Sequence, residues 1–209
     1  MALINRFPLT ANANDVIGSI TPVNNGSVTF DLVNGASFNG INQWLSFSKT
    51  LTNPFSISIW IKFNNVTSYQ APLVSDNTSN GNGTGVVYMN SPNQTVAKIA
   101  QSSAVISNDF TSANYPSTSF VLSILSFDGT NMNVYRGNLL LASVIKTFGS
   151  VETTWSIGRS GAASSYFFAG YALDARFYNN ALTVNDIAKL VSLGPNTLQA
   201  SSQIMSGGM

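Results

Sequence analysis

The stretch Phe55-Ser56-Ile57-Ser58-Ile59-Trp60-Ile61-Lys62-Phe63 alternates without a break. Phe55, Ile57, Ile59, Ile61 and Phe63 fall on one side of an extended chain, and Ser56, Ser58, Trp60 and Lys62 on the other. A period of two sustained this long predicts a β-strand with one face in the core. Val28, Phe30 and Leu32 alternate likewise with Ser27, Thr29 and Asp31. Residues 118–127 are apolar on both sides, with Phe120, Leu122 and Ile124 against Val121, Leu125 and Phe127. That predicts a central strand covered on both faces. Residues 168–178 set Leu173, Ala175 and Phe177 opposite Asp174 and Arg176.

Turn signals separate these runs: Asn25-Gly26, Asn34-Gly35, Asn39-Gly40, Asp128-Gly129 and Gly137-Asn138. Glycine takes a positive φ at low cost, which suits tight hairpins. Many strands at short spacing predict an all-β sandwich. One helix stands out. Thr183 is its expected N-cap, with Asp186 three residues on as the capping-box acid. Ile187, Leu190 and Val191 form its apolar stripe, and Gly194-Pro195 ends it. No repeat or linker divides the chain, so residues 1–195 are expected to form one domain, followed by an uncharged tail, 196–209.

Composition narrows the chemistry. Charged residues are 8% of the 209, and the net charge is +1. Nucleic acid and anionic membranes need clustered Lys and Arg, so neither is expected as a partner. No apolar run approaches the roughly 18 residues of a membrane-spanning helix. The chain has no Cys and no His. This excludes thiolate or imidazole zinc sites, thiol catalysis and Ser-His-Asp chemistry. The surface is instead expected to be amide and hydroxyl: 25 Asn, 29 Ser and 17 Thr.

Four landmarks in order resemble one family. Phe7-Pro8-Leu9 leads through Asn12-Ala13-Asn14-Asp15 to Gly18. Ala36-Ser37-Phe38-Asn39-Gly40 leads to Trp44-Leu45. Residues 55–62 follow. Ile157-Gly158-Arg159-Ser160-Gly161 runs through Phe168-Ala169-Gly170 to Asp174-Ala175-Arg176-Phe177-Tyr178 and Ala181-Leu182-Thr183. Phe127-Asp128-Gly129 and Tyr135-Arg136-Gly137 resemble its central hairpin. Together they resemble laminin-G-like domains of the concanavalin A-like class. The resemblance implies a two-sheet antiparallel jelly-roll β-sandwich with one short C-terminal helix, and ligand loops on one rim in many members. It also assigns Trp44 and Trp60 to packing. The chain departs from the family pattern at Ser117-Thr118-Ser119, where members often carry Trp-His-His, and at Arg136, often Asp. No calcium site of the family aligns.

Candidate chemistry is sparse. A glycoside hydrolase needs two carboxylates facing each other. No predicted strand carries two acids on one face, so no catalytic residues are assigned and no enzyme is expected. Asp174 and Arg176 are expected to pair as scaffold, and Asp31 and Asp128 to serve turns. The loop of residues 75–84 is rich in oxygen donors. Asp76, Asn77 and Asn82 there, with Tyr88 and Tyr166, are the expected glycan contacts. Tyr69, Tyr115 and Trp155 are further aromatic candidates. The same loop is where Ca²⁺ could bind, although no cofactor is required. In the tail, Leu198, Ile204 and Met205 are expected assembly contacts with a neighbouring subunit.

Residues 1–6 do not read as a signal peptide. A cysteine-free, weakly charged module without a leader suits a protein folded in a host cytoplasm and assembled outside it. The expected function is therefore a non-catalytic virion surface protein: a capsid decoration, head fibre or tail adhesin. Its partners would be other virion proteins or copies of itself, and surface glycans bound weakly at many sites. The alternative is a soluble or cell-surface carbohydrate-binding lectin module.

Overall fold

The computed structural model describes residues 2–66, 69–76, 84–90, 94–99, 102–107, 109–145, 154–160 and 166–195. In chain order its elements are β1 (Leu3–Phe7), β2 (Val23–Asn25), β3 (Thr29–Asp31), β4 (Gly35–Asn39), β5 (Trp44–Ser48), β6 (Phe55–Phe63), β7 (Gln70–Asp76) and β8 (Gly85–Asn90). There follow β9 (Gln94–Ile99), β10 (Ser102–Ser107), β11 (Val121–Phe127), β12 (Asn131–Arg136), β13 (Leu139–Ile145), β14 (Thr154–Ile157), β15 (Ala169–Tyr178) and α1 (Val184–Leu193). Among the described residues, one sheet runs β13-β12-β11-β6-β15-β4-β3, with β1 also on β15. The other runs β10-β9-β8-β7-β14-β5-β2. The strand pairings among the described residues are antiparallel throughout. The predicted two-sheet sandwich with one short helix is the observed architecture.

The inner faces enclose an aromatic core. Phe7 lies 4.7 Å from Phe47, and Trp155 meets Phe177 edge-on at 5.0 Å. Edge-to-face contacts match the positive rim of one ring to the negative face of another. Trp155 is fully buried, and its indole N–H donates to the Lys49 carbonyl at 2.9 Å. It is a core residue and not a sugar platform.

Strand β6 corrects the expectation of a single buried face, because Ser56, Ser58 and Trp60 are buried as well. A second apolar cluster covers its outer side: Trp60, Leu122, Ile124, Leu173 and Tyr178 pack with Leu182, Ile187 and Leu190 around α1. The buried serines dock the chain entering that helix, since Leu182 N–H donates to Ser56 Oγ at 2.9 Å and to Ser126 Oγ at 3.0 Å. Thr183 caps α1, and its capping box with Asp186 is closed in both directions. Residues 118–120 precede β11 and do not belong to it, but both faces of β11 are covered as expected. The strand expected around Val28 shrinks to Thr29–Asp31. Leu32 is 62% exposed in the following turn, where the Asp31 carboxylate accepts the Val33 and Asn34 amides.

Strand β15 carries the larger correction. Ala172, Ala175 and Phe177 face the inner core, but Leu173 joins the outer cluster. One extra residue causes the switch: pairing with β6 shifts register between Leu173 and Arg176, and Asp174 takes φ +51°. A bulge of this kind turns the following side chains by one position. The bulge also marks a change of neighbour, with β4 pairing through Ala172 and β1 taking over from Ala175. Asp174 is 2% exposed. It accepts from Arg6 Nε at 2.7 Å and from both Nε and Nη2 of Arg176. The Asp174–Arg176 scaffold pair is thus observed, with Arg6 as a second cation.

Asp15, in the loop after β1, shows how side-chain oxygens replace regular pairing. Burial raises its pKa. The amides of Arg6, Ile17 and Gly18 and the side chain of Asn5 outweigh that and hold it below the usual carboxylate value.

Two predictions follow from these carboxylates. Asp174→Ala leaves two guanidiniums buried without a counter-ion and should cost about 3–5 kcal/mol in urea denaturation. Asp15 has a depressed pKa in the folded state, so its contribution is fully present above the unfolded pKa of about 3.9. It disappears as pH falls through the folded value, and Asp15→Asn should flatten the acid limb of a stability–pH curve.

Candidate functional site

Strand directions sort the connections onto two rims. One rim gathers the ends of β4, β6 and β12 with the starts of β5, β7, β11, β13 and β15, and the C-terminal end of β14. Tyr166 stands on this rim. Its carbonyl accepts from Ala71 N–H at 3.2 Å, and its ring lies 5.1 Å from Tyr69, tilted by 33°. Tyr69 is 40% exposed and Tyr166 half-buried. Phe167, the next residue, meets Trp44 at 6.0 Å. The Arg159 guanidinium lies over the Trp44 ring, 4.1 Å from its centre. Trp44, expected only to pack, is therefore a half-buried rim residue.

The backbone that carries this array is firmly tied. Gly158 N–H donates to Pro72 O at 2.9 Å, Phe168 N–H to Gly158 O at 2.8 Å, and Gly40 N–H to Phe168 O at 3.0 Å. The buried Gln70 side chain bridges the sheets, accepting from Ala169 N–H and donating to Asn65 O. Gly158 has φ +103°, and a Cβ there would stand 2.5 Å from the Phe38 ring. Only glycine lets the chain turn this closely before Arg159.

Residues 109–120 close the same end between the sheets. Phe110 and Tyr115 pack on Phe63 at 5.2 and 5.7 Å. Tyr115, a sequence candidate for sugar contact, is 2% exposed and belongs to this plug. Burial, then the charge of Asp109, pushes its phenol well above its ordinary pKa. The Asp109 carboxylate accepts from Thr95 at 2.7 Å, Tyr115 at 3.2 Å and Asn114 at 3.3 Å, and pairs with Arg136 at 3.4 Å. Its oxygens are thus held by these four groups.

The described backbone places Asp76 and Tyr166, two of the expected glycan residues, at different ends of β7. Asp76 ends β7 opposite Thr154, five residues beyond Ala71, or about 17 Å along the strand from the Tyr166 contact. Antiparallel pairing of Gln70 with Met89 brings the backbone of Tyr88 to the Tyr166 end instead. Asn77, Asn82, Leu198, Ile204 and Met205 lie outside the described residues. Among the described residues, no cluster of three or more acidic or metal-ligating side chains could hold a metal ion. A shallow groove of about 380 Å³ on the outer face of the larger sheet, between Trp60, Phe120, Leu122, Leu139 and Val191, has no carboxylate in its lining.

Sequence reasoning reached Tyr166 and Tyr69 but missed Trp44, Arg159 and Phe167. Nothing in the alternation distinguishes a rim aromatic from a core one, and the Arg159–Trp44 contact joins residues 115 positions apart.

A two-sheet sandwich with aromatic side chains gathered on one rim is a lectin-like architecture. The chain belongs to the concanavalin A-like lectin/glucanases superfamily, whose family model matches residues 33–188. No curated protein matches it in sequence. Among solved structures it is similar to domain 4 of AbnA, a GH43 extracellular arabinanase from Geobacillus stearothermophilus, in complex with arabinotriose. That likeness has a TM-score of 0.73 at 16% identity, over 91% of this chain and 98% of that one. It is also similar to the receptor binding domain of botulinum neurotoxin C/D mosaic serotype, with a TM-score of 0.68 at 14% identity over 92% of this chain. Trypanosoma rangeli sialidase gives 0.66 at 14% identity over 92% of this chain. The chain spans 51% of the toxin domain and 32% of the sialidase. At such identities the likeness establishes the fold.

Gly158→Ala should destabilise the domain by more than about 1 kcal/mol, because the new Cβ meets both a left-handed backbone and the Phe38 ring. Chemical denaturation measures the loss.

Proposed function

We propose that this domain is a non-catalytic carbohydrate-binding module whose platform is the aromatic rim. The observation that carries this reading is the consecutive pair Tyr166 and Phe167, which gathers Tyr69 on one side and Trp44 with Arg159 on the other. A sugar ring offers an apolar C–H face, and half-exposed aromatic rings are its natural counterpart; convergent polar groups fix its orientation. Asn39, Asn42 and Gln43 border the array in the turn before Trp44. Its likeness to domain 4 of an arabinanase, solved with arabinotriose and matched over 98% of its length, supports the same reading.

Binding without catalysis fits the carboxylates. Asp109 is the one acid in the described residues that close this rim, and its oxygens are occupied. The platform needs no metal ion, so EDTA should leave binding unchanged.

The setting is proposed on composition. A chain with no Cys, 8% charge and a third of its residues Asn, Ser or Thr suits the outside of a virion, where many copies multiply a weak affinity. A lectin module of a secreted or cell-surface protein is the alternative setting for the same chemistry.

A glycan array probed with the folded chain tests the function. Binding to a related set of sugars is expected. Tyr166→Ala should weaken it by about tenfold or more, the effect of losing roughly 1–3 kcal/mol of stacking and apolar contact. A folded protein that binds no sugar would overturn the reading.

A further inference from the structure

We propose that the lateral edge formed by β13 and β10 is a self-association surface. Its partner is the same edge of a second copy of this chain, with the two β13 strands paired antiparallel about a twofold axis.

Strand β13 stands at the end of the larger sheet. It pairs with β12 on one side, and among the described residues no strand pairs with its other side. A free strand edge offers a row of backbone N–H and C=O groups to any chain that can lie beside it. Natural sheets guard such edges with charge, proline or very short strands. The opposite edge of this sandwich is guarded in that way: β2 and β3 have three residues each, and Asp31 lies in β3. The β13 edge is not. Its seven residues, Leu139-Leu140-Leu141-Ala142-Ser143-Val144-Ile145, include neither a charge nor a proline. Its register with β12 shifts once, beside Leu141, and residues 142–145 pair evenly.

The side chains divide between core and solvent. Leu141, Ala142 and Val144 lean on the inner core, which anchors the strand. Ile145 is 79% exposed, and Leu139 and Leu140 are exposed as well. The adjoining edge of the smaller sheet is β10, Ser102–Ser107, which also lacks charge and proline and exposes Val105. Leu139 lines the outer groove with Trp60, Phe120 and Val191, so apolar surface continues from the edge onto the face of the sheet.

The absence of charge names the partner. A twofold axis sets a strand against its own copy, so any net charge on it would face the same charge. An uncharged strand pairs with itself without that penalty. The same absence leaves a foreign charged strand no complementary charge to meet. Self-pairing also takes exposed Leu and Ile side chains out of water. Seven residues make an edge about 23 Å long, a small interface, so association near the micromolar range is expected. Strand β13 begins at the aromatic rim, and antiparallel pairing therefore sets the two rims at opposite ends of the pair. One consequence rests on the sugar-platform reading: such a pair bridges two glycan-bearing surfaces.

Sedimentation velocity of the full chain over about 1–200 µM tests the pairing. A reversible dimer is expected. Leu139→Lys with Ile145→Lys should weaken it about tenfold or more, because like charges then face each other across the axis. Leu139→Glu with Ile145→Glu should do the same, and an equimolar mixture of the two doubly substituted proteins should restore the dimer. Val23→Lys, on the opposite edge, should leave association unchanged. An unmodified chain that stays monomeric over this range would overturn the inference. A dimer that survives in the folded lysine protein, or oppositely charged proteins that stay apart when mixed, would overturn the assignment to β13. The unmodified chain decides self-association even if a variant fails to fold. No sugar enters the experiment, so its failure leaves the sugar platform standing.

Discussion

A single carboxylate held between two guanidiniums governs how the larger sheet is put together. Asp174 sits at a bulge in β15 and binds Arg6 from β1 and Arg176 from its own strand. A buried charge persists only where opposite charge and donors surround it. The bulge inserts one residue into β15, and every side chain after it changes face. Ala175 and Phe177 therefore enter the aromatic core, while Tyr178 joins the cluster beneath α1. The same point passes β15 from β4 to β1, which closes the sheet around the N-terminal strand.

The end of the sandwich at which β15 begins carries the aromatic rim proposed as the sugar platform. Antiparallel topology brings residues 40–43, 64–66, 109–120, 158–160 and 166–168 to one rim. The plug around Phe110 and Tyr115 fills the gap between the sheets, so the rim offers a surface and not a channel. On that surface lie aromatic rings and a guanidinium. The buried Gln70 amide and the strained turn at Gly158 hold the segments that carry them. Rigid support of this kind suits the proposed sugar platform, because an ordered surface costs less entropy on binding.

Particular elements show why parts of the fold were legible in the sequence. The alternation over residues 55–63 named β6 to the residue, and Thr183, Asp186 and Gly194 bounded α1, because capping and pleating act between near neighbours. The outer burial of Ser56 and Trp60 was not legible. It depends on a helix more than a hundred residues away, and isolated serines look solvent-facing until a partner such as Leu182 N–H arrives. Leu173 was misplaced for a similar reason, since an alternating pattern cannot announce a bulge whose carboxylate pairs with Arg6 from the far end of the chain.

By itself, the sequence determined the class of the molecule. Its alternating strands, Asx-Gly turns and one capped helix fixed an all-β sandwich, and its lack of Cys and His removed whole families of chemistry. These properties are local or compositional. Tertiary structure alone decided which aromatics face solvent: Trp155 and Tyr115 went to the interior, while Trp44, Tyr69, Tyr166 and Phe167 met on one rim. It also separated Asp76 from Tyr166 by the length of a strand. The physical reason is that a binding surface is made by the ends of strands distant in sequence, and strand order and register set which ends meet.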